Sequence, residues 1–290
     1  MTITRRALGA MALGAAAARS ANAAPSLRVD AHTHAFVRGL KLAVDARYAP
    51  NYDASWQTLL ALADTNGIGR AVLLQPSFLG YDNSYLFGAL KAEPQRFRGV
   101  PWISPSVETS PEDWDEMARL GVRGLRFPIL GLPTPQWSAY GDMLGEALKR
   151  DWPIHLYVES KRLADTLPFL LDGGHRVVIP HYGMFDRTLG PARDPGFKVL
   201  LESAKTGRVF VVMCGAYRVG PERARQAAPM LLDAFGPERL MWGSDWPHTD
   251  TDLNRVTTYP ITLKTFEEWV SNETTRRTIL VDTPSQLYRF

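Results

Sequence analysis

The sequence contains a single cysteine, Cys214, so no intrachain disulfide can form and a disulfide-stapled scaffold is excluded. We read that thiol as a small buried apolar group. Charge of one sign is also scarce, despite an isoelectric point near 9.0. The net charge of +3 comes from Arg5, Arg6 and Arg19, which lie in a first stretch of 23 residues without an acidic side chain; setting them aside leaves 30 of the 33 basic residues against 30 acidic ones. A neutral body of this kind lacks the domain-wide basic field that nucleic-acid binding calls for. No Gly-rich phosphate-binding turn follows the first strand signal, which removes the common dinucleotide motif. Internal repeats, linkers and low-complexity segments are missing too. With 45% hydrophobic and 22% charged residues, the 290-residue chain has the composition of a globular domain with a large core.

Residues 1–23 read as a targeting segment. Arg5 and Arg6 precede an Ala/Gly-rich run over 7–18, and Ala21, Asn22 and Ala23 form an A-x-A cleavage pattern. The run is far shorter than the ~20 apolar residues that span a bilayer, so no stable membrane anchor is expected. The paired arginines resemble a twin-arginine signal, with an ordinary secretory signal as the alternative. We therefore expect a cleavable signal peptide over 1–23, recognised by the twin-arginine export machinery, and a single periplasmic domain over 24–290. The sequence carries no signal for an oligomeric state.

Beyond residue 24, short apolar runs rich in β-branched residues alternate with longer amphipathic stretches. Strands are expected at 27–32, 71–75, 98–103, 124–127, 154–158, 176–179, 209–213 and 240–242, and their continuous apolarity suits burial on both faces. Helices are expected between them, for example over 55–65, ended by Asn66 and Gly67, and over 163–171, ended by Gly173 and Gly174. This alternation predicts an α/β fold, a single-domain (β/α)8 TIM barrel, ahead of a doubly wound sheet.

The chemistry-bearing residues gather at expected strand ends. Asp30, His32 and His34 stand at alternate positions as the first strand ends, so the two imidazoles share a face. His181 follows the sixth strand, and Asp245 follows the eighth within G-S-D-W-P-H. In a barrel these ends converge on one mouth, where three imidazoles and a carboxylate can hold a divalent metal or, without one, polarise a carbonyl and activate water. His155 would sit deeper than this group, and His175 lies in a turn before a strand.

The D-x-H-x-H start, the G-S-D-W-P-H segment and D-T-P-S-Q-L-Y at 282–288 resemble the amidohydrolase superfamily. More narrowly they resemble its branch of 2-pyrone-4,6-dicarboxylate lactonases and 4-sulfomuconolactone hydrolases. The likeness runs through Tyr48, the segment from Gln75 to Ser77, Asp82, Asn83, Arg126, Tyr157, Glu159 and Arg218. It implies hydrolysis of a small lactone bearing a carboxylate or another anionic group. Asp245 would take a proton from water, and His32, His34 and His181, directly or through a metal, would stabilise the oxyanion. Arg126, Arg218, Tyr48, Tyr157, Ser77 and, less directly, His248 would contact the substrate. Each arginine has a bracing salt bridge as its alternative role.

Departures from the family pattern narrow the expectation. The loop after the fourth strand reads P-I-L-G-L-P, where the pyrone lactonases carry a further arginine, so a second carboxylate anchor is expected to be missing. Tyr157 stands where metal-dependent relatives carry a histidine. The cofactor expectation is therefore either none or one divalent metal, zinc foremost, on His32, His34, His181 or Asp245. Two further functions stay open: a metal-dependent hydrolase or decarboxylase of another small acid, and a non-catalytic periplasmic binder of small molecules.

Overall fold

The structure, a computed structural model, describes residues 27–249 and 257–290; the expected signal peptide over 1–23 lies outside them. Eight strands form where the apolar runs lie: β1 Val29–Thr33, β2 Arg70–Leu74, β3 Phe97–Val100, β4 Leu125–Pro128, β5 Ile154–Tyr157, β6 Val177–Ile179, β7 Val209–Met213 and β8 Leu240–Trp242. They pair in parallel as two sheets, β1-β2-β3 and β4-β5-β6-β7-β8. Backbone bonds cross both seams. Gly99 bridges Val122, and the Arg126 N–H donates to the Pro101 carbonyl at 2.9 Å. At the other seam Asp245 N–H donates to the His32 carbonyl at 2.9 Å and His34 N–H to the Trp246 carbonyl at 2.8 Å. This is the order of a (β/α)8 barrel. β3 stops short of residue 103 because Pro101 has no N–H to give, and the Trp102 N–H turns to Asn83 Oδ1 at 3.1 Å.

The connecting helices are α1 Trp56–Thr65, α2 Ser84–Ala92, α3 Pro111–Leu120, α4 Gly141–Lys149, α5 Leu163–Asp172, α6 Pro195–Ser203, the short α7 Ala216–Val219 and α8 Pro221–Phe235. They are followed by α9 Tyr259–Trp269, α10 Glu273–Arg277 and α11 Thr283–Tyr288. Side-chain caps set where several begin. Ser55 Oγ accepts from Thr58 N–H ahead of α1, Ser110 and Asp113 form a reciprocal capping box on α3, and Asp194 accepts from Phe197 N–H on α6. No helix among the described residues is long and apolar enough to cross a membrane.

Alternate strand residues fill two layers. Val29, Ala31, Val72, Leu74, Val178, Val212 and Met241 pack inside the barrel, whereas Ala71, Leu73, Val177, Ile179, Val211 and Leu240 face the helices. Leu287 and Tyr288 of α11 join the inner cluster. The Tyr288 hydroxyl lies 3.1 Å from His155 Nε2, and the Phe290 ring lies under the guanidinium groups of Arg70 and Arg98 at the strand starts. The C-terminal turn therefore plugs the end of the barrel opposite the strand C-termini.

Candidate active site

Strict alternation that sends Val29 and Ala31 inward would send His32 and His34 outward. The β1–β2 register shifts between Asp30 and Thr33: Asp30 pairs with Ala71 but Thr33 with Leu73, so β1 carries one extra residue there. Such a bulge re-aims the side chains that follow it. It brings the two imidazoles onto the inner cluster, where His32 Nε2 and His34 Nε2 each lie 3.7 Å from Asp245 Oδ1. Asp30 fastens the seam beneath them, its Oδ1 accepting from His32 N–H at 3.2 Å and Ser244 N–H at 2.9 Å.

His181 and Asp245 leave their strands with left-handed backbones, φ 55° and 58°. Non-glycine residues seldom adopt that conformation, and it recurs at functional sites. It places His181 Nδ1 3.9 Å from Asp245 Oδ2. The same oxygen accepts from Tyr217 Oη at 2.5 Å and Arg218 Nε at 2.8 Å, whereas Oδ1 has no hydrogen-bond partner among the described residues. Gly215, φ 58°, leaves the space that this convergence needs, since a Cβ there would stand 2.6 Å from His181 Nδ1.

These groups form the floor of a cavity of about 350 Å3 at the strand C-termini. His34, His181, Arg126, Arg218, Tyr48, Tyr157 and Ser77 line it; Asp245 and His32 lie just beneath, almost wholly buried. Tyr48 Oη is 2.9 Å from Thr249 Oγ1, and the Tyr157 ring packs edge-on to His181 at 4.9 Å. Arg126 donates through Nη1 to the Gln75 carbonyl, while its buried Nε has no partner among the described residues. Arg218 combines both roles open to it in the sequence: it braces Asp245 and it lines the cavity. His248 does not line the cavity and packs edge-on against Tyr217.

The loop after β4 carries no arginine, yet other loops bring arginines to the cavity. Arg47 and Arg187, both exposed at the rim, also line the cavity, and Arg47 Nη1 donates to the Leu130 carbonyl at 3.3 Å. An arginine from the β1–α1 loop thus lies over the arginine-free loop after β4. Tyr217, Gly215, Arg47 and Arg187 were all missed in the sequence. The G-A-Y-R segment at 215–218 held a signal for the first two, a glycine and a phenol beside Arg218, and Arg47 stands beside Tyr48; Arg187 had none.

Burial fixes the charge states. It drives His34 and His181 down to about 3 and His32 well below its ordinary value, so all three imidazoles are neutral at neutral pH. Burial alone would raise the Asp245 carboxyl, but the Arg218 guanidinium outweighs it and holds the group well below the usual carboxylate range. Arg126 is lowered by burial to about 10 and keeps its charge. The His34 Nδ1–H donates to the Leu74 carbonyl at 2.8 Å, because a carbonyl can only accept, and Nε2 is left with its lone pair. With Asp245 Oδ1 and both His32 ring nitrogens also lacking hydrogen-bond partners among the described residues, His32, His34 and Asp245 fit a divalent cation. A second grouping, His32, His181 and Cys214, is equally close-set.

His155, outside this cluster, is lowered by burial to about 3 from an ordinary 6.5. The folded chain keeps it neutral while the unfolded chain takes up a proton below pH 6.5, so acidification favours unfolding by up to about 1.4 kcal/mol per pH unit down to pH 3. Asp30, raised to about 7 by burial, works the other way between pH 7 and 4. It is one group against His155 and the buried imidazoles of His32, His34, His181 and His248, all shifted down. The urea midpoint is therefore expected to fall steadily from pH 7 to pH 4.5; a flat midpoint would contradict these buried neutral states.

The chain is 28% identical over 269 residues, 89% of each chain, to a 4-sulfomuconolactone hydrolase of Rhizobium radiobacter. It is 37% identical to the solved structure of a candidate 2-pyrone-4,6-dicarboxylic acid hydrolase from Pseudomonas putida, with a TM-score of 0.82 over 90% of this chain and 97% of that one. An amidohydrolase from Burkholderia multivorans with bound zinc shares the fold at 21% identity and a TM-score of 0.76, over 91% of this chain and all of that one. The amidohydrolase family model matches residues 29–290, and the chain belongs to that family.

Proposed function

We propose that the protein hydrolyses a small anionic lactone. One observation carries the reading: the ionised Oδ1 of Asp245, without a hydrogen-bond partner among the described residues, lies beneath a cavity walled by two neutral histidines and four arginines. A lactone carboxylate or sulfonate would bind the guanidinium groups, Arg126 foremost, through charge-assisted hydrogen bonds. Asp245 Oδ1 would take a proton from water as the oxygen attacks the lactone carbonyl carbon. His181 would stand where the carbonyl oxygen gains charge, while His34 Nε2, which keeps its lone pair, faces Asp245 Oδ1. When the ring C–O bond breaks, the leaving oxygen recovers the proton from Asp245, and one water has been added to yield a ring-opened acid. The relatives named for lactone substrates support this class of reaction.

A screen of the purified protein against carboxylated, sulfonated and neutral lactones, followed by acid release, tests the proposal. Turnover of anionic lactones is expected, and a preference for neutral ones would overturn it. Arg126→Met should raise KM for the active lactone about 10-fold to 100-fold with a smaller change in kcat, the loss of one or two charged hydrogen bonds.

A metal-assisted version is supported by the fit of His32, His34 and Asp245 to a cation. There a divalent metal would act as a Lewis acid on the lactone carbonyl. Loss of activity on chelation, with return on adding zinc, would establish it; full activity in chelated, metal-free protein would dismiss it.

A further inference from the structure

We propose that Cys214 sets the tautomer of His181, donating its thiol hydrogen to Nδ1 and so leaving the ring proton on Nε2, the side that meets the cavity. The inference rests on the reading of this cavity as the reaction site. Cys214 follows β7 directly, and its side chain lies in the inner barrel cluster under the histidines. Its sulfur takes the His181 backbone N–H at 3.3 Å and lies 3.2 Å from Nδ1.

The direction of the second contact follows from counting donors. The thiol has one hydrogen, and the sulfur already accepts the backbone N–H. A proton on Nδ1 would aim two N–H groups at one weak acceptor and leave the thiol hydrogen unused. A bare Nδ1 is a strong acceptor for it. Asp245 Oδ2 does not compete, since it is 3.9 Å away and already takes Tyr217 and Arg218. The positive φ of His181 and the missing side chain of Gly215 hold the ring against the sulfur.

The two cavity histidines then differ. His34, with its Nδ1–H on a carbonyl, turns a bare Nε2 toward Asp245 Oδ1. His181, with its Nδ1 filled by the thiol, offers Nε2–H to the carbonyl oxygen. Cys214 is a positioning residue: it touches neither water nor lactone.

The test is a nitrogen-15 NMR spectrum of histidine-labelled protein, in which the six histidines of the chain give few signals and a His181→Asn sample identifies that of His181. An unprotonated Nδ1 and a protonated Nε2 are expected in the native protein and in Cys214→Ser, which keeps an O–H donor. Cys214→Ala should mix the tautomers and lower kcat about 10-fold to 100-fold on a lactone found in the screen, with KM changed less. A protonated Nδ1 in the native protein would overturn the proposal, as would native tautomer and kcat in Cys214→Ala. So would a thiolate-to-metal charge-transfer band on cobalt(II) titration, which would make the sulfur a ligand instead of a donor. If Cys214→Ala does not fold, the native and serine spectra still decide. Because the tautomer is read without substrate, a failed lactone screen and a failed tautomer assignment give separate results.

Discussion

Asp245→Asn is expected to lower kcat on the anionic lactone by about 10³-fold, within the range that positioned proton transfer contributes. The amide matches the carboxylate in shape but cannot take a proton from water at Oδ1. Binding should change far less, because Arg126, Tyr48 and the rim arginines keep their places on the cavity wall. The same change removes one charge partner of the mostly buried Arg218. Breaking a buried pair costs about 3–5 kcal/mol when one partner is lost outright, and less where, as here, an amide oxygen can still accept from the guanidinium. The variant should therefore melt a few degrees lower while remaining folded, and kinetics taken well below that transition separate the two effects. Full turnover in Asp245→Asn would remove the proposed base.

Gly215→Ala should be nearly as damaging by another route. The added Cβ would stand 2.6 Å from His181 Nδ1 and 2.9 Å from Asp245 Oδ2, at a φ of 58°. The left-handed conformation costs a non-glycine residue about 1–2 kcal/mol, and overpacking adds about 1–3 kcal/mol. Relief requires the imidazole and carboxylate to separate, and a shift of about 1 Å in reacting groups can cost about 100-fold in rate. We expect a lower melting temperature together with at least that loss in kcat. Gly39→Ala supplies the control: its φ is 86°, yet a Cβ there meets nothing within 4 Å. It should lose stability through the backbone alone and keep its activity. Matching kinetics in the two variants would show that the spacing of His181 and Asp245 does not govern the reaction.

The strands were legible because apolar, β-branched runs buried on both faces leave a strong sequence trace. β7 and β8 fall on the expected residues, and the other strands within a few positions. The convergence of His32, His34, His181 and Asp245 was legible for a topological reason: strand C-termini in a barrel meet whatever their separation along the chain. The means of convergence was not. His32 and His34 reach the interior through a bulge, and no one-dimensional pattern distinguishes an extra residue from ordinary alternation. The left-handed backbones at His181 and Asp245 fall on non-glycine residues, where the sequence does not announce them. Cys214 was placed correctly as a buried side chain, but its contact with His181 depends on where β7 ends relative to the turn after β6.

The C-terminal plug has a consequence for the inner core. Tyr288 and Phe290 seal the barrel at the starts of β2, β3 and β5, strands made long before them. Without Leu287 and Tyr288 the inner cluster of Val29, Ala31, Val72 and Val212 would lack its cover at that end. The core at that end of the barrel is therefore joined by residues from both extremes of the fold, β1 and α11.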